Sequence, residues 1–291
     1  MQGRRVIVTG ATAGVGKETA RALVRKGADV VVVGRDAKKI DETVRELRAE
    51  AKGSAVDAVR CDLSSLASVR EAASELVERF PAIHVLVNNA GAVHMERSVT
   101  KDGFETTFQS NHLGPYVLTR RLLPKLLAGT SPTRTARIVN VASVVHSRGV
   151  IDFSDLQTER AAYVGLGVYS RTKLMNVLFT YALARRLRSH HVTANCLHPG
   201  VIASGFGHNN GGWMGFGVKL VAPFLWTPEK GARTSVKLAS SSEVEGVTGK
   251  YYDERSRERP SSVTSHDVAL QETLWKTSAE LAGEPLEPTF A

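Results

Sequence analysis

The chain has 291 residues, 42% of them hydrophobic, two cysteines and a formal charge of +9. Such a composition supports a sizeable core and excludes a disordered chain, and two cysteines exclude a disulfide framework. Lys and Arg are spread at helical spacing among Glu and Asp, so the positive charge reads as solvated helix faces rather than a nucleic-acid surface.

Arg4 and Arg5 lead straight into Val6, Ile7 and Val8, leaving no room for the apolar region of a secretory leader. No apolar stretch nears the ~20 residues of a membrane helix. A soluble, cytoplasmic chain is expected. Apolar runs follow at 4–9, 29–33, 55–60, 83–87, 136–142 and 191–197, several of them nearly continuous Val, Ile and Ala, as strands buried on both faces require. Amphipathic stretches at 16–27, 37–51, 65–80, 101–127 and 168–189 alternate with them, and a seventh strand is expected at 247–252. This alternation predicts an α/β fold: one doubly wound, Rossmann-type domain over 1–291, with a seven-stranded parallel sheet and helices on both faces. Cys61 and Cys196 fall in apolar runs and read as buried, reduced thiols. The Gly-, Trp- and Phe-rich segment 201–227 reads as an apolar substrate lid, with an ordinary packed loop as the alternative. The tail 264–291 reads as a short helix and then Pro-rich coil. Helices 101–127 and 168–189 could form a two-fold face, giving a homodimer or homotetramer, with a monomer as the alternative.

The first strand runs directly into Gly10-Ala11-Thr12-Ala13-Gly14-Val15-Gly16, which opens the first helix. Glycines there let the chain turn and let a pyrophosphate approach the free amides and positive dipole end of the helix. The second strand ends Val33-Gly34-Arg35-Asp36. Gly34 stands where an NAD site would place a carboxylate, and Arg35 can pair with a 2′-phosphate, so NADP(H) is the expected cofactor. Asp36 would be that carboxylate if the strand ran longer; its other role is the N-cap of the next helix. Asp62, with Leu63, ends the third strand and either accepts from an adenine amino group or caps a helix. Asn88, Asn89, Ala90 and Gly91 end the fourth, where a backbone can pass close to a ribose.

Tyr169 and Lys173 are four residues apart and share a helix face. A neighbouring ammonium eases ionisation of a phenol, which suits Tyr169 to general acid–base work. Ser143, after the fifth strand, faces the same crevice and can hold a carbonyl oxygen. Asn111 is a poor helix former within an expected helix, which points to a polar task. The nine histidines show no metal-ligand spacing, and no metal is expected.

With Asn111-His112-Leu113-Gly114, Tyr169-x-x-x-Lys173 and His198-Pro199-Gly200 added, the chain resembles the short-chain dehydrogenase/reductase superfamily over about residues 4–255. Arg148–Leu156 adds a likeness to its retinol-dehydrogenase-like branch. The resemblance implies a catalytic tetrad of Asn111, Ser143, Tyr169 and Lys173. Tyr169 would move the proton, Ser143 hold the substrate oxygen, Lys173 bind the nicotinamide ribose, and Asn111 fix a relay water. Pro199, Gly200 and Val201 would line the nicotinamide, with Ser204 nearby. The implied function is NADP(H)-dependent interconversion of an apolar aldehyde or ketone and its alcohol. The alternatives are a non-catalytic NADP(H) sensor and reduction of a carbon–carbon double bond.

Overall fold

The computed structural model describes residues 1–202 and 226–288. Its strands are β1 (Arg5–Thr9), β2 (Asp29–Gly34), β3 (Val56–Arg60), β4 (Val85–Asn88), β5 (Ala136–Val141), β6 (Val192–Leu197), β7 (Tyr251–Tyr252) and β8 (Glu258–Arg259). They lie in the spatial order β3-β2-β1-β4-β5-β6-β7-β8. The first seven pair in parallel, and β8 turns back antiparallel on β7. The sheet thus has one strand more than the sequence pattern predicts. Two-residue strands carry too little alternation to be read from sequence.

Successive residues of each strand serve opposite faces. Val6, Val8, Val30, Val32, Val85, Val87 and Val139 join one buried cluster, with α1 (Gly14–Arg25), α2 (Ala37–Glu50) and α7 (Pro228–Ser240). Ile7, Val31, Val33, Leu86 and Ile138 join the other, with α3 (Leu66–Arg79), α5 (Gly114–Ala128), α6 (Gly165–Arg186) and α8 (Val268–Ala282). Each fully buried Val or Leu contributes ~1.5–3 kcal/mol, so the apolar central strands contribute strongly to stability. Cys61 and Cys196 are buried free thiols, and burial pushes both pKa values up to about 12.

The expected helix over 101–127 divides. Thr106–Phe108 forms a short α4, Gln109–Leu113 widens into a π turn, and α5 starts at Gly114 with Pro115 in its first turn. Pro115, which lacks an amide hydrogen, thus falls in the first turn of α5 directly after the π turn, where no helical partner is needed.

The tail forms the expected helix followed by coil that holds Pro285 and Pro288, but the helix is longer than expected: α8 runs for 15 residues, capped by the Asp267 side chain and ended by Gly283 at φ 60°. Trp275 on α8 packs at ring-centre distances of 5.3 Å from Tyr116 and 5.9 Å from Phe179. Every residue of α6 from Val168 to Ala184 is buried within the single chain. The chain's own C-terminal helix thus packs on part of the two helices expected to offer a two-fold face. Of the expected lid, only its first two and last two residues are described, and Ser204 lies outside the described residues.

The strand order reverses between β1 and β4, so the loops leaving their C-terminal ends diverge and open a crevice there.

Candidate active site

The β1–α1 loop forms the first wall of that crevice. Gly10 has φ 64° and lies against the β4 loop: a Cβ on it would sit 2.9 Å from the Ala90 Cα. Asn89 staples the two loops, its Nδ2 donating to the Thr9 carbonyl at 2.9 Å, while the Thr9 hydroxyl accepts from the Asn89 and Ala90 amides at 3.0 and 3.1 Å. The Asn89 side chain therefore holds the glycine loop. At the start of α1 the N-cap, Ala13, brings no side-chain acceptor, and the first turn carries no acid. The amides of Gly14, Val15 and Gly16 have no side-chain cap, at the positive end of a 12-residue helix. Thr12 packs beneath on Gly34, where a Cβ would lie 2.9 Å from its methyl. This cradle fits a pyrophosphate.

At the end of β2, Asp36 is occupied: its carboxylate accepts from the Lys39 amide at 3.1 Å and caps α2. Arg35 is exposed, its backbone carbonyl held by Arg60 at 3.1 Å. Asp62 accepts from the Ser64 amide and hydroxyl at 3.0 and 2.6 Å, which forms a local turn; Ser65, not Asp62, caps α3. Leu63 is buried, and its carbonyl lies so close to Gly114 that a side chain there would collide.

The four residues expected to act together do meet. Asn111 is fully buried in the π turn. Its Oδ1 accepts from the Ala92 amide at 2.8 Å, and its Nδ2 donates to the Ala92 carbonyl at 2.8 Å and the Thr172 hydroxyl at 3.2 Å. Lys173 donates to the Val141 carbonyl at 2.9 Å, and its Nζ lies 5.5 Å from the centre of the Tyr169 ring. Gly91 sits between them: a Cβ there would be 3.0 Å from the Lys173 Nζ and 3.6 Å from the Asn111 Oδ1. Ser143, just beyond β5, is near enough to Tyr169 to favour its phenolate. Pro199, Gly200 (φ 86°) and Val201 leave β6 on the same edge.

The electrostatics correct one expectation. Burial pushes the Lys173 pKa down to about 8. Burial also raises the Tyr169 pKa, and the neighbouring Ser143 side chain offsets that only in part. Desolvation disfavours charge on both groups and outweighs any easing of the phenol by the amine, so Tyr169 is held as a neutral phenol near pH 7.

Beneath the site runs a polar ladder that sequence reasoning missed. Asn88 donates to the Asn140 Oδ1 at 2.9 Å and the Thr119 hydroxyl at 2.8 Å, and Asn140 donates to the Thr180 hydroxyl at 2.9 Å. Asn88 and Asn140 are register partners of β4 and β5. An Asn closing one apolar run and another set inside the next was the available signal. Among the described residues no three His, Cys, Asp or Glu side chains cluster as metal ligands would, and no helix is long and apolar enough to cross a membrane.

Residues 4–214 match the short chain dehydrogenase family. The chain is 38% identical to human retinol dehydrogenase 13 over 286 residues, covering 97% of this chain and 85% of that protein. It is 37% identical to human polyprenol dehydrogenase over 284 residues, covering 96% and 85%. Among solved structures it resembles a Pseudomonas aeruginosa RhlG/NADP active-site complex, at 27% identity and a TM-score of 0.71, covering 87% of this chain and 95% of that one. The crevice at the strand reversal and the extent of these likenesses agree: the chain belongs to the short chain dehydrogenase/reductase family, in its retinol-dehydrogenase-like branch.

Proposed function

We propose that the chain reduces apolar aldehydes or ketones with NADPH, and oxidises the corresponding alcohols in reverse. The observation that carries this reading is the convergence of the Tyr169 phenol, the nearby Ser143 and the buried Lys173 amine, whose Nζ lies 5.5 Å from the Tyr169 ring centre and against Gly91. A bound nicotinamide would supply or take the hydride. Tyr169, neutral near pH 7, donates its proton to the substrate oxygen, which suits it to the reductive direction. Ser143 holds that oxygen. Lys173 anchors a ribose hydroxyl and returns a proton to Tyr169, and Asn111 fixes the water that links them to solvent. The uncapped amides of Gly14, Val15 and Gly16 hold the pyrophosphate, and Gly10, Thr12 and Ala13 shape its seat. Arg35 binds the 2′-phosphate, supported by the engagement of Asp36 in its cap. Asp62, Leu63, Asn89, Ala90 and Gly91 line the adenine and ribose, and Pro199, Gly200, Val201 and Ser204 the nicotinamide.

An apolar substrate is supported by large side chains left exposed beside the site residues in sequence. Val144 follows Ser143, Leu166 precedes Tyr169, and Val201 follows Gly200. The relatives named for retinol and polyprenol, both apolar alcohols, point the same way.

The test is NADPH consumption over a panel of apolar aldehydes and ketones, repeated with NADH. Turnover with NADPH is expected, and Arg35→Ala should raise the KM for NADPH by about tenfold, with little change for NADH. Equal use of both cofactors would remove the role given to Arg35. Product containing a saturated carbon–carbon bond and an intact carbonyl would replace the reaction.

A further inference from the structure

We propose that His146 is a positioning residue for Ser143, a neutral imidazole of fixed tautomer that ties the serine to the C-terminal segment. The inference rests on the reading of Ser143 as the residue that holds the substrate oxygen.

Ser143 is the extended residue at which β5 gives way to the 3-10 turn Val144–Arg148. Its carbonyl accepts twice from His146, from the backbone amide at 3.1 Å and from the ring Nδ1 at 2.7 Å. A carbonyl oxygen can only accept, so Nδ1 carries the proton. On the other side of the ring, the Ser262 backbone amide lies 3.1 Å from Nε2. A backbone amide can only donate, so Nε2 carries a lone pair. One tautomer of neutral imidazole satisfies both contacts, and the imidazolium satisfies only one.

The ring has little freedom to do otherwise. It is 4% exposed, and its centre lies 4.8 Å from that of Tyr251. The segment that donates to it is itself pinned. The Ser261 hydroxyl meets the Tyr181 hydroxyl at 2.6 Å and the Ser265 hydroxyl at 2.6 Å, and the Ser265 hydroxyl donates to the Ser262 carbonyl at 2.6 Å. Tyr181 stands on α6, the helix that also carries Tyr169 and Lys173. Hydrogen bonds thus link α6 through Ser261 and Ser262 to His146 and on to the Ser143 carbonyl, and Ser143 in turn stands beside Tyr169 on α6. A clamped carbonyl limits rotation of the Ser143 peptide and so the direction in which its hydroxyl meets the phenol. His146 touches no reacting atom in this scheme; it acts through Ser143.

Three variants of the full chain test this. His146→Phe keeps a ring against Tyr251 and removes both hydrogen bonds. His146→Asn keeps a donor where Nδ1 stands. Ser262→Pro removes only the amide donor, at a residue whose φ of −61° proline accepts. Steady-state kinetics with NADPH and a carbonyl should show kcat reduced about tenfold in His146→Phe, with the KM for NADPH nearly unchanged, and most of kcat restored in His146→Asn. Ser262→Pro should fall between them. A His146→Phe enzyme at wild-type kcat, or Phe and Asn variants that lose kcat and thermal stability equally, would overturn the proposal. A second readout needs neither turnover nor a folded Phe variant: nitrogen NMR of the wild-type imidazole should find the proton on Nδ1, and a proton on Nε2 overturns the assignment. If wild-type protein turns over no carbonyl at all, the proposed function fails separately. The Tyr169 ring-carbon resonance then decides the positioning claim. It should move in Ser262→Pro and His146→Phe and stay in place in His146→Asn, and a resonance unmoved in all three overturns it.

Discussion

Gly91 is the residue that touches two members of the tetrad at once. Its missing side chain is what lets the β4 loop lie against the Lys173 amine and the Asn111 amide together. Gly91→Ala would press a methyl to 3.0 Å from the Lys173 Nζ, and the amine, held to the Val141 carbonyl, would have to give way. The expected result is a loss of kcat of about tenfold or more with the thermal melt nearly intact, since displacement of a catalytic group costs rate before it costs stability. Lys173 offers a measurement of its own. Its pKa is about 8 in the folded chain. In the unfolded chain it is ~10.4. Between those values the unfolded chain holds a proton that the folded chain has released, so this group's contribution to stability rises with pH. Below pH 8 the folded state carries the full burden of a buried charge. Lys173→Met should therefore be more stable than wild type near pH 7, by up to about 3 kcal/mol, while inactive. That advantage should shrink as pH approaches 10, when followed by chemical denaturation; a difference independent of pH would contradict the buried-amine description. Tyr169 and Lys173 were legible as a pair from their spacing alone. The sign of the phenol's pKa shift was not, because spacing reveals proximity and says nothing about how completely both groups are desolvated.

At the scale of elements, the π turn and α8 carry what the sequence pattern concealed. The π turn places Asn111 toward Ala92 and Thr172 and sends the next residue, His112, the other way, where its Nε2 lies 2.8 Å from the Ser278 hydroxyl on α8. Burial pushes the His112 pKa down to about 4. Between pH ~6.5 and 4 the unfolded chain takes up a proton at this position that the folded chain refuses, so stability falls with acidification across that window. The expected loss is about 3 kcal/mol by pH 4, read from denaturation midpoints. His112→Gln, which keeps a polar group toward Ser278 and cannot take up a proton there, should flatten that part of the profile. An unchanged profile would mean that other groups set the acid limit. The helical runs of the central layers were legible because each repeats apolar residues on one face. The burial of α8 was not, because the partners of Trp275, namely Tyr116 and Phe179, are far away in sequence. The same holds for the imidazole of His146, whose second partner is a backbone amide over a hundred residues later.

For the whole molecule, the doubly wound sheet followed from alternation, since parallel strands buried on both faces must be apolar throughout, and Val6–Val8, Val30–Val33 and Val85–Val87 are. The crevice followed in turn from where those runs meet glycines. The β7–β8 hairpin, the π turn and the C-terminal cover did not follow, because they depend on contacts between remote segments rather than on local periodicity. The sheet edge brings together Asn111, Ser143, Tyr169 and Lys173 from the π turn, the end of β5 and α6. The most direct test of their joint action compares wild type with Tyr169→Phe, monitoring NADPH absorbance with an apolar aldehyde while NADPH affinity is measured separately. Proton donation by Tyr169 predicts a kcat lower by about a hundredfold or more with NADPH binding retained; a Tyr169→Phe protein that turns over at the wild-type rate would contradict it.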